Sequence, residues 1–302
     1  MYNSVSDYYK KKYGCKIYKL SLKGADTCPN RDGRVGVGGC IFCSQSASGE
    51  FAEEKIGSVS QQLERAKNRV AKKIKEGKYI AYFQSYSNTY GDANYLKNLF
   101  LEAIKPDYIV GIAIGTRPDC LGEEMLDILS EVNAQKPVTI ELGLQTSNDK
   151  TAEYINRCYE TQVFDTAVKN LKLRGIDVVA HMIIGLPFES EEDMLNTARH
   201  IANSGADGIK FHLLHILKGT KLAKEYEKGV CSTLDLETYT KILKNCIEVI
   251  SPKMIVHRIT GDPPKSELIA PLWSADKKRV LNHINKYFKE QNLIQGKKYK
   301  AP

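Results

Sequence analysis

Apolar positions along the chain recur with two periods, and stretches of the two kinds alternate. Short runs with an apolar residue at every second position are separated by longer stretches in which apolar residues return every three or four. The first kind predicts strands at 16–23, 79–84, 107–115, 138–145, 177–184 and 208–214. The second predicts helices at 58–76, 92–105, 122–134, 148–157, 162–174 and 190–204. The punctuation agrees: Ser58 or Ser60 is placed to cap the first helix and Gly77 to stop it, Pro106 and Pro137 close the next two, and Gly175 ends the fifth. Strands alternating with helices make βα units, which favour a parallel sheet with right-handed crossovers.

Six such units fall short of the eight in a closed barrel, so a partial barrel competes with an open doubly wound sheet. The strand faces discriminate between them. In the fourth strand Val138, Ile140, Leu142 and Leu144 share one face, while Thr139, Glu141, Gly143 and Gln145 share the other. The fifth sets Val178, Ala180, Met182 and Ile184 against Val179, His181 and Ile183; the sixth sets Ile209, Phe211 and Leu213 against Lys210, His212 and Leu214. A doubly wound sheet is covered by helices on both faces and reads apolar throughout. Here one face carries Glu, Gln, His and Lys, as the wall of a ligand-filled cavity would. The expected fold is therefore α/β, a partial (β/α)6 TIM-like barrel spanning 24–234. Residues 235–302 break the pattern with a helix at 235–249, an extended piece at 254–260, a Pro-rich turn at 262–265 and a basic helix at 274–291. They are expected to form an appendage closing one end of the barrel.

Composition narrows the functional classes. A chain of 302 residues with 42% apolar content can bury one large core. Residues 1–14 have no apolar segment of the export-signal kind and no later run reaches membrane-spanning length, so a cytoplasmic protein without a membrane anchor is expected. Charge is concentrated at the ends. Residues 1–23 hold six lysines against Asp7, and 253–302 hold eleven Lys or Arg against four acids, which leaves the 229 residues between them at −4 out of a total of +8. Basic ends on a near-neutral body are either a footprint for a polyanion such as RNA or two solvated, lysine-rich termini.

Eight cysteines without an export signal argue for metal binding or buried thiols over disulfides. Cys15, Cys120, Cys158, Cys231 and Cys246 stand alone and read as buried thiols. Cys28, Cys40 and Cys43 are spaced C-x11-C-x2-C in a glycine-rich loop, 28–43, that follows the first strand. Three thiolates can hold three corners of a metal centre and leave the fourth open to a substrate or cofactor. A zinc site is the competing reading; it needs a fourth ligand, for which Cys15 is available, but there is one C-x2-C pair and no histidine at finger spacing. On the sixth strand Lys210 and His212 share the polar face and are candidate catalytic residues, to steer substrate or move protons, with His215 just beyond them. Arg258 and Asp262 bracket a turn at 259–261; the segment resembles one that lies near the substrate in a known enzyme family, and a salt bridge holding the turn accounts for it equally well.

With Phe42 just before Cys43, the triplet resembles the cluster loop of radical S-adenosylmethionine (SAM) enzymes, and its long first gap resembles the branch that includes the catalytic subunit of Elongator. Further segments carry the resemblance: Tyr90-Gly91-Asp92, Gly115-Thr116-Arg117-Pro118-Asp119, Glu141 to Gln145 (ELGLQ), Ile155-Asn156-Arg157 and Gly185-Leu186-Pro187, spread over roughly 15–260. The resemblance implies a [4Fe–4S] cluster on Cys28, Cys40 and Cys43, with S-adenosylmethionine on the open iron. It further implies that Arg157 pairs with the methionine carboxylate, that Gln145 meets the ribose or methionine portion with Glu141 deeper in the barrel, and that Ser87 and Asn88 stand where relatives grip the amine. His181 occupies the position of an Asp in many relatives, at the ribose. The Elongator-like branch acts on C5 of wobble uridines, so tRNA and an electron donor such as flavodoxin or ferredoxin are the implied partners. With no acetyltransferase-sized segment after the barrel, remodelling of an existing C5 side chain is expected. A radical enzyme acting on a small metabolite and a zinc-stabilised RNA-binding protein are the alternatives.

Overall fold

The computed structural model describes residues 1–45, 52, 57–71 and 77–301. The end of the helix expected at 58–76 and part of the segment following Cys43 lie outside them. The strands are β1 (Ile17–Leu22), β2 (Lys78–Phe83), β3 (Ile109–Thr116), β4 (Val138–Gln145), β5 (Asp177–Ile184), β6 (Gly208–Leu213), β7 (Ile216–Leu217), β8 (Ile255–Arg258) and β9 (Leu268–Ala270). The helices are α1 (Val5–Tyr13), α2 (Val59–Val70), α3 (Ala93–Ile104), α4 (Glu123–Asn133), α5 (Asp149–Tyr154), α6 (Thr161–Leu173), α7 (Glu191–Asn203), α8 (Lys221–Glu227), α9 (Leu236–Val249) and α10 (Lys277–Glu290). Where the sequence offers a cap, the structure uses it. Ser58 opens α2 with a capping box to Gln61, Asp92 caps α3 through the Tyr95 amide, and Gly175, at a φ of +66°, turns the chain out of α6.

Seven strands form one parallel sheet in the order β1-β2-β3-β4-β5-β6-β8. Its outer face is the apolar one of the sequence pattern. Ile140, Leu142, Ala180, Met182 and Phe211 pack there with Phe164, Leu171 and Ile201 from the helices in one continuous core. The sheet curls. β1 and β4 are three places apart, about 14 Å in a flat sheet, yet Lys19 Nζ on β1 lies 2.5 Å from the Glu141 carboxylate on β4. The expected partial barrel is thus present, with polar residues inside and helices outside.

The extended piece expected at 254–260 lies within the sheet as its seventh strand, β8, paired to β6. Its four residues are too few for alternation to reveal a face, so pairing rather than pattern identifies it. β7 and β9 form a separate antiparallel pair beside the barrel. At the N-terminal ends of the strands α1 covers the barrel, and Tyr8, Tyr9 and Tyr13 line a cavity of about 350 Å³ there. The two chain ends are stitched together below it. Gln295 accepts from the Asn3 amide at 2.8 Å and donates to the carbonyls of Ser251 and Met254 at 2.7 and 2.8 Å, while the Met1 carbonyl accepts from the Gln295 amide. From the opposite end, where Lys277 pairs with Asp262 at 2.5 Å, α10 runs back toward this junction. Among the described residues no helix is long and apolar enough to cross a membrane.

Candidate active site

At the C-terminal ends of the strands a cavity of about 190 Å³ is lined by Cys28, Cys40 and Cys43 on one side and by Gln145, His181 and Lys210 on the other. It adjoins a second cavity of about 340 Å³ that reaches β6 and the turn after β8; Phe42, Cys43, Gln84, Gln145, His181, His212 and Arg258 border both.

The thiol loop is held by hydrogen bonds to a distant turn. Asn30 Nδ2 donates to the Asn156 carbonyl at 2.5 Å and reaches the Cys40 sulfur at 3.6 Å, and Asn156 Nδ2 donates back to the Gly39 carbonyl at 2.8 Å. Arg31 Nη2 lies 3.1 Å from the Cys43 sulfur. A Cβ on Gly36 would stand 2.1 Å from Asn30 Oδ1, so that crossing requires glycine. Burial pushes the Cys40 thiol up to about 12, with Cys43 and Cys28 adding to the push and Arg117 opposing it. Thiols gathered so closely suit a cationic centre that would stabilise them as thiolates. Among the described residues no three His, Cys, Asp or Glu side chains converge on a single ion.

Below the thiols, Glu141 is 1% exposed and joins four neighbours. Lys19 reaches one carboxylate oxygen at 2.5 Å; Tyr82 donates to the other at 2.6 Å, His181 lies 3.1 Å from it, and Lys210 also contacts it. Burial alone would raise the Glu141 carboxyl, but Lys19, Lys210 and His181 bring it well below its ordinary range. Burial pushes Lys210 down to about 7; Glu141 opposes this, and Lys19 and Arg258 add to it. Burial, reinforced by Lys210, lowers His181 to about 4, and burial with neighbouring His181 brings His212 well below its ordinary range. The two imidazoles are 4.9 Å apart, and both are neutral at physiological pH.

Of the expected site residues, Cys28, Cys40, Cys43, Ser87, Glu141, Gln145, His181, Lys210 and His212 all line the cavity. Gln145 does so from a left-handed backbone (φ +69°) at an irregularity in β4, and Gly143 leaves room for its amide, which lies 2.6 Å from where a Cβ would be. Two expectations do not fit. Arg157 borders the cavity but is 1% exposed, and its five N–H groups all have acceptors within the protein: the carbonyls of Tyr159 (2.9 Å), Leu144 (2.8 Å) and Thr146 (2.6 Å), Asp149 (3.0 Å) and Thr161 (3.4 Å). It clamps the loop after β4 and has no donor left for a cofactor carboxylate. Asn88 is likewise spent on the protein, accepting from the Ala25 amide at 3.0 Å and donating to the carbonyls of Ser85 and Gly115 at 2.9 and 3.0 Å. Arg117, Tyr159, Lys19 and Tyr82 were not assigned to the site from sequence. Arg117 stands over the Tyr159 ring at 4.8 Å and grips Asp119 with two hydrogen bonds. Its signal was the Gly115–Asp119 motif; Lys19 gave none beyond strand alternation. Of the isolated cysteines, Cys120 and Cys246 are buried as expected, whereas Cys15, Cys158 and Cys231 are half-buried.

Two family models match the sequence, that of the Radical SAM superfamily over residues 12–201 and that of the Radical_SAM C-terminal domain over 206–290. The uncharacterized protein YtqA of Bacillus subtilis is 43% identical over 296 residues, covering 98% of this chain and 92% of that protein. The tRNA uridine(34) acetyltransferase of Dehalococcoides mccartyi is 25% identical over 158 residues, 51% of this chain and 34% of its own. Among solved structures, the archaeal Methanocaldococcus infernus Elp3 with an N-terminal deletion aligns with a TM-score of 0.71 at 15% identity, across 92% of this chain and 64% of that one. At that identity the likeness is one of fold.

Two outcomes follow from the geometry. Arg157→Ala is expected to destabilise the fold by about 1–3 kcal/mol for each buried carbonyl it leaves unpaired, measured by denaturant unfolding; a loss below about 0.5 kcal/mol would show that the clamp is dispensable. In ¹³C-lysine NMR, Lys210 is expected to titrate near 7, and Glu141→Gln should move that titration lower because the carboxylate is what raises it. A Lys210 resonance that titrates above about 9 would contradict this.

Proposed function

The chain belongs to the radical SAM superfamily, whose cofactors are a [4Fe–4S] cluster and S-adenosylmethionine, and from that premise we propose that it remodels a C5 side chain on a wobble uridine of tRNA. The observation that carries the enzymatic part is the placement of three thiols and a buried polar well around one cavity. Cys28, Cys40 and Cys43 are the residues that would hold the cluster. A cluster held there would supply one-electron reductive cleavage of S-adenosylmethionine, and with it the means to abstract a hydrogen atom from the substrate. The protein's own part is positioning and exclusion of water. Ser87, Gln145 and His181 line the space beside the thiols and would orient the cofactor, while Phe42 borders both cavities and would help to exclude water. Lys210 and His212 would face the substrate, and Lys210 titrating near 7 can hold or release a proton at Nζ under working conditions.

Two observations support tRNA as the substrate. One is the sequence likeness to a tRNA uridine(34) acetyltransferase. The other is the course of α10, which carries Lys277, Lys278, Arg279, Lys286 and Lys289 from the pairing with Asp262 beside the cavity toward the joined chain ends. A basic track of this kind suits a phosphate backbone leading to the site. A C5 side chain with a carbon between an amine and a carboxylate suits the chemistry, since both neighbours stabilise a radical there. On this reading the enzyme works in the cytoplasm and draws its electron from a flavodoxin or ferredoxin.

Anaerobically purified protein is expected to contain iron and sulfide, to lose both when Cys28, Cys40 and Cys43 are replaced by alanine, and to form 5′-deoxyadenosine from S-adenosylmethionine with dithionite and bulk tRNA. A colourless protein with one zinc would end the enzymatic reading, and an unchanged tRNA nucleoside profile in a strain lacking the gene would end the tRNA reading. Neutralising Lys278, Arg279 and Lys286 to glutamine should weaken tRNA binding and reduce its salt dependence by about one unit of log–log slope for every phosphate that the altered helix no longer neutralises. Salt-independent binding would instead favour a small-metabolite substrate.

A further inference from the structure

We infer that Arg258 is the specificity-determining residue of the second cavity, where it receives a carboxylate carried by the substrate; this rests on the reading of the site as a radical SAM active site acting on a C5 side chain.

Arg258 ends β8 in register with Lys210 and borders both cavities. The salt bridge that the sequence allowed with Asp262 does not form, because Asp262 takes Lys277. Among the described residues Arg258 has no hydrogen-bond or ion-pair partner. The other interior cations are satisfied: Lys19 and Lys210 share Glu141. Arg258 is thus the interior cation with no carboxylate partner among the described residues. Burial keeps His181, His212 and His215 from adding a positive charge of their own, and the nearby Arg258 reinforces this in each. Nε2 of His212 and Nε2 of His215 are buried and lack partners among the described residues. His215 is seated against Gly261, where a Cβ would stand 2.2 Å from its ring carbon, so the turn after β8 is shaped around it.

A half-buried guanidinium without a partner, with unpaired imidazole nitrogens beside it, is complementary to a small planar anion. A carboxylate fits this position better than a backbone phosphate does. Arg258 lies at the barrel interior beside Leu214 and Leu217, within about 340 Å³, where the end of a side chain can enter. The exposed lysines of α10 are placed for the polymer backbone instead.

The test uses the full chain carrying its cluster, with saturation-transfer NMR to read weak binding. N-methylglycine, which presents the amine and carboxylate alone, is expected to bind the unaltered protein, and N-methylglycinamide at least tenfold more weakly. Arg258→Gln should abolish the preference at an unchanged melting temperature, and Arg258→Lys should restore part of it. Equal binding of acid and amide, a preference that survives Arg258→Gln, or displacement of N-methylglycine by an equal concentration of inorganic phosphate would each overturn the assignment. The tRNA reading stands or falls separately. An unchanged nucleoside profile on gene loss would remove it while leaving an Arg258-dependent carboxylate preference intact, and loss of that preference would leave a changed profile unexplained by Arg258 alone.

Discussion

The buried carboxylate of Glu141 is the contact on which the interior depends. It is the one acceptor shared by Lys19, Tyr82, His181 and Lys210, and these residues come from β1, β2, β5 and β6. A charge this deep is costly unless it is paired and hydrogen-bonded. Its partners are available only if the sheet curls far enough for strands that are not neighbours to meet across the barrel. The same requirement gathers the polar face into a well. Outside, the apolar face packs with the helices, so curvature satisfies both faces at once.

β4 links that well to the thiol loop. Glu141 lies at its middle and Gln145 at its end, and the carbonyls of Leu144 and Thr146 are held by Arg157. Asn156, next to Arg157, ties the same turn to Gly39 and Asn30 beside Cys40. A short motif, Ile155-Asn156-Arg157, therefore sets how the loop at 28–43 sits over the barrel. Its importance to the site is positional: the guanidinium and the amide are consumed in holding the two parts together. Asn88 does similar work between the ends of β2 and β3 and the chain after β1. The thiols, Gln145, His181, His212 and Arg258 line the cavity that this arrangement leaves between the loop and the barrel.

Much of this was legible in the chain itself. Alternation along β4, β5 and β6 separates the residues that face the helices from those that face the cavity, because side chains on successive strand positions point to opposite sides and burial selects between them. The cysteine spacing, the polar inner face and the basic ends were equally visible, as was the βα rhythm that makes a parallel, curled sheet. These are local signals, carried by residues close together in sequence.

What only the tertiary structure decided concerns partners that are distant in sequence. Whether Arg157 has a donor to spare depends on carbonyls and side chains at 144, 146, 149, 159 and 161 converging on one guanidinium. Whether Lys19 adds to a basic surface or turns inward depends on a carboxylate 122 residues away. β8 is a barrel strand because β6 offers it an edge, and Arg258 is unpaired because Asp262 finds Lys277 on α10. Periodicity reports which way a side chain points, whereas hydrogen bonds and charges are satisfied in three dimensions, so the sequence determined the faces of this protein and the fold determined which of its polar groups were left free.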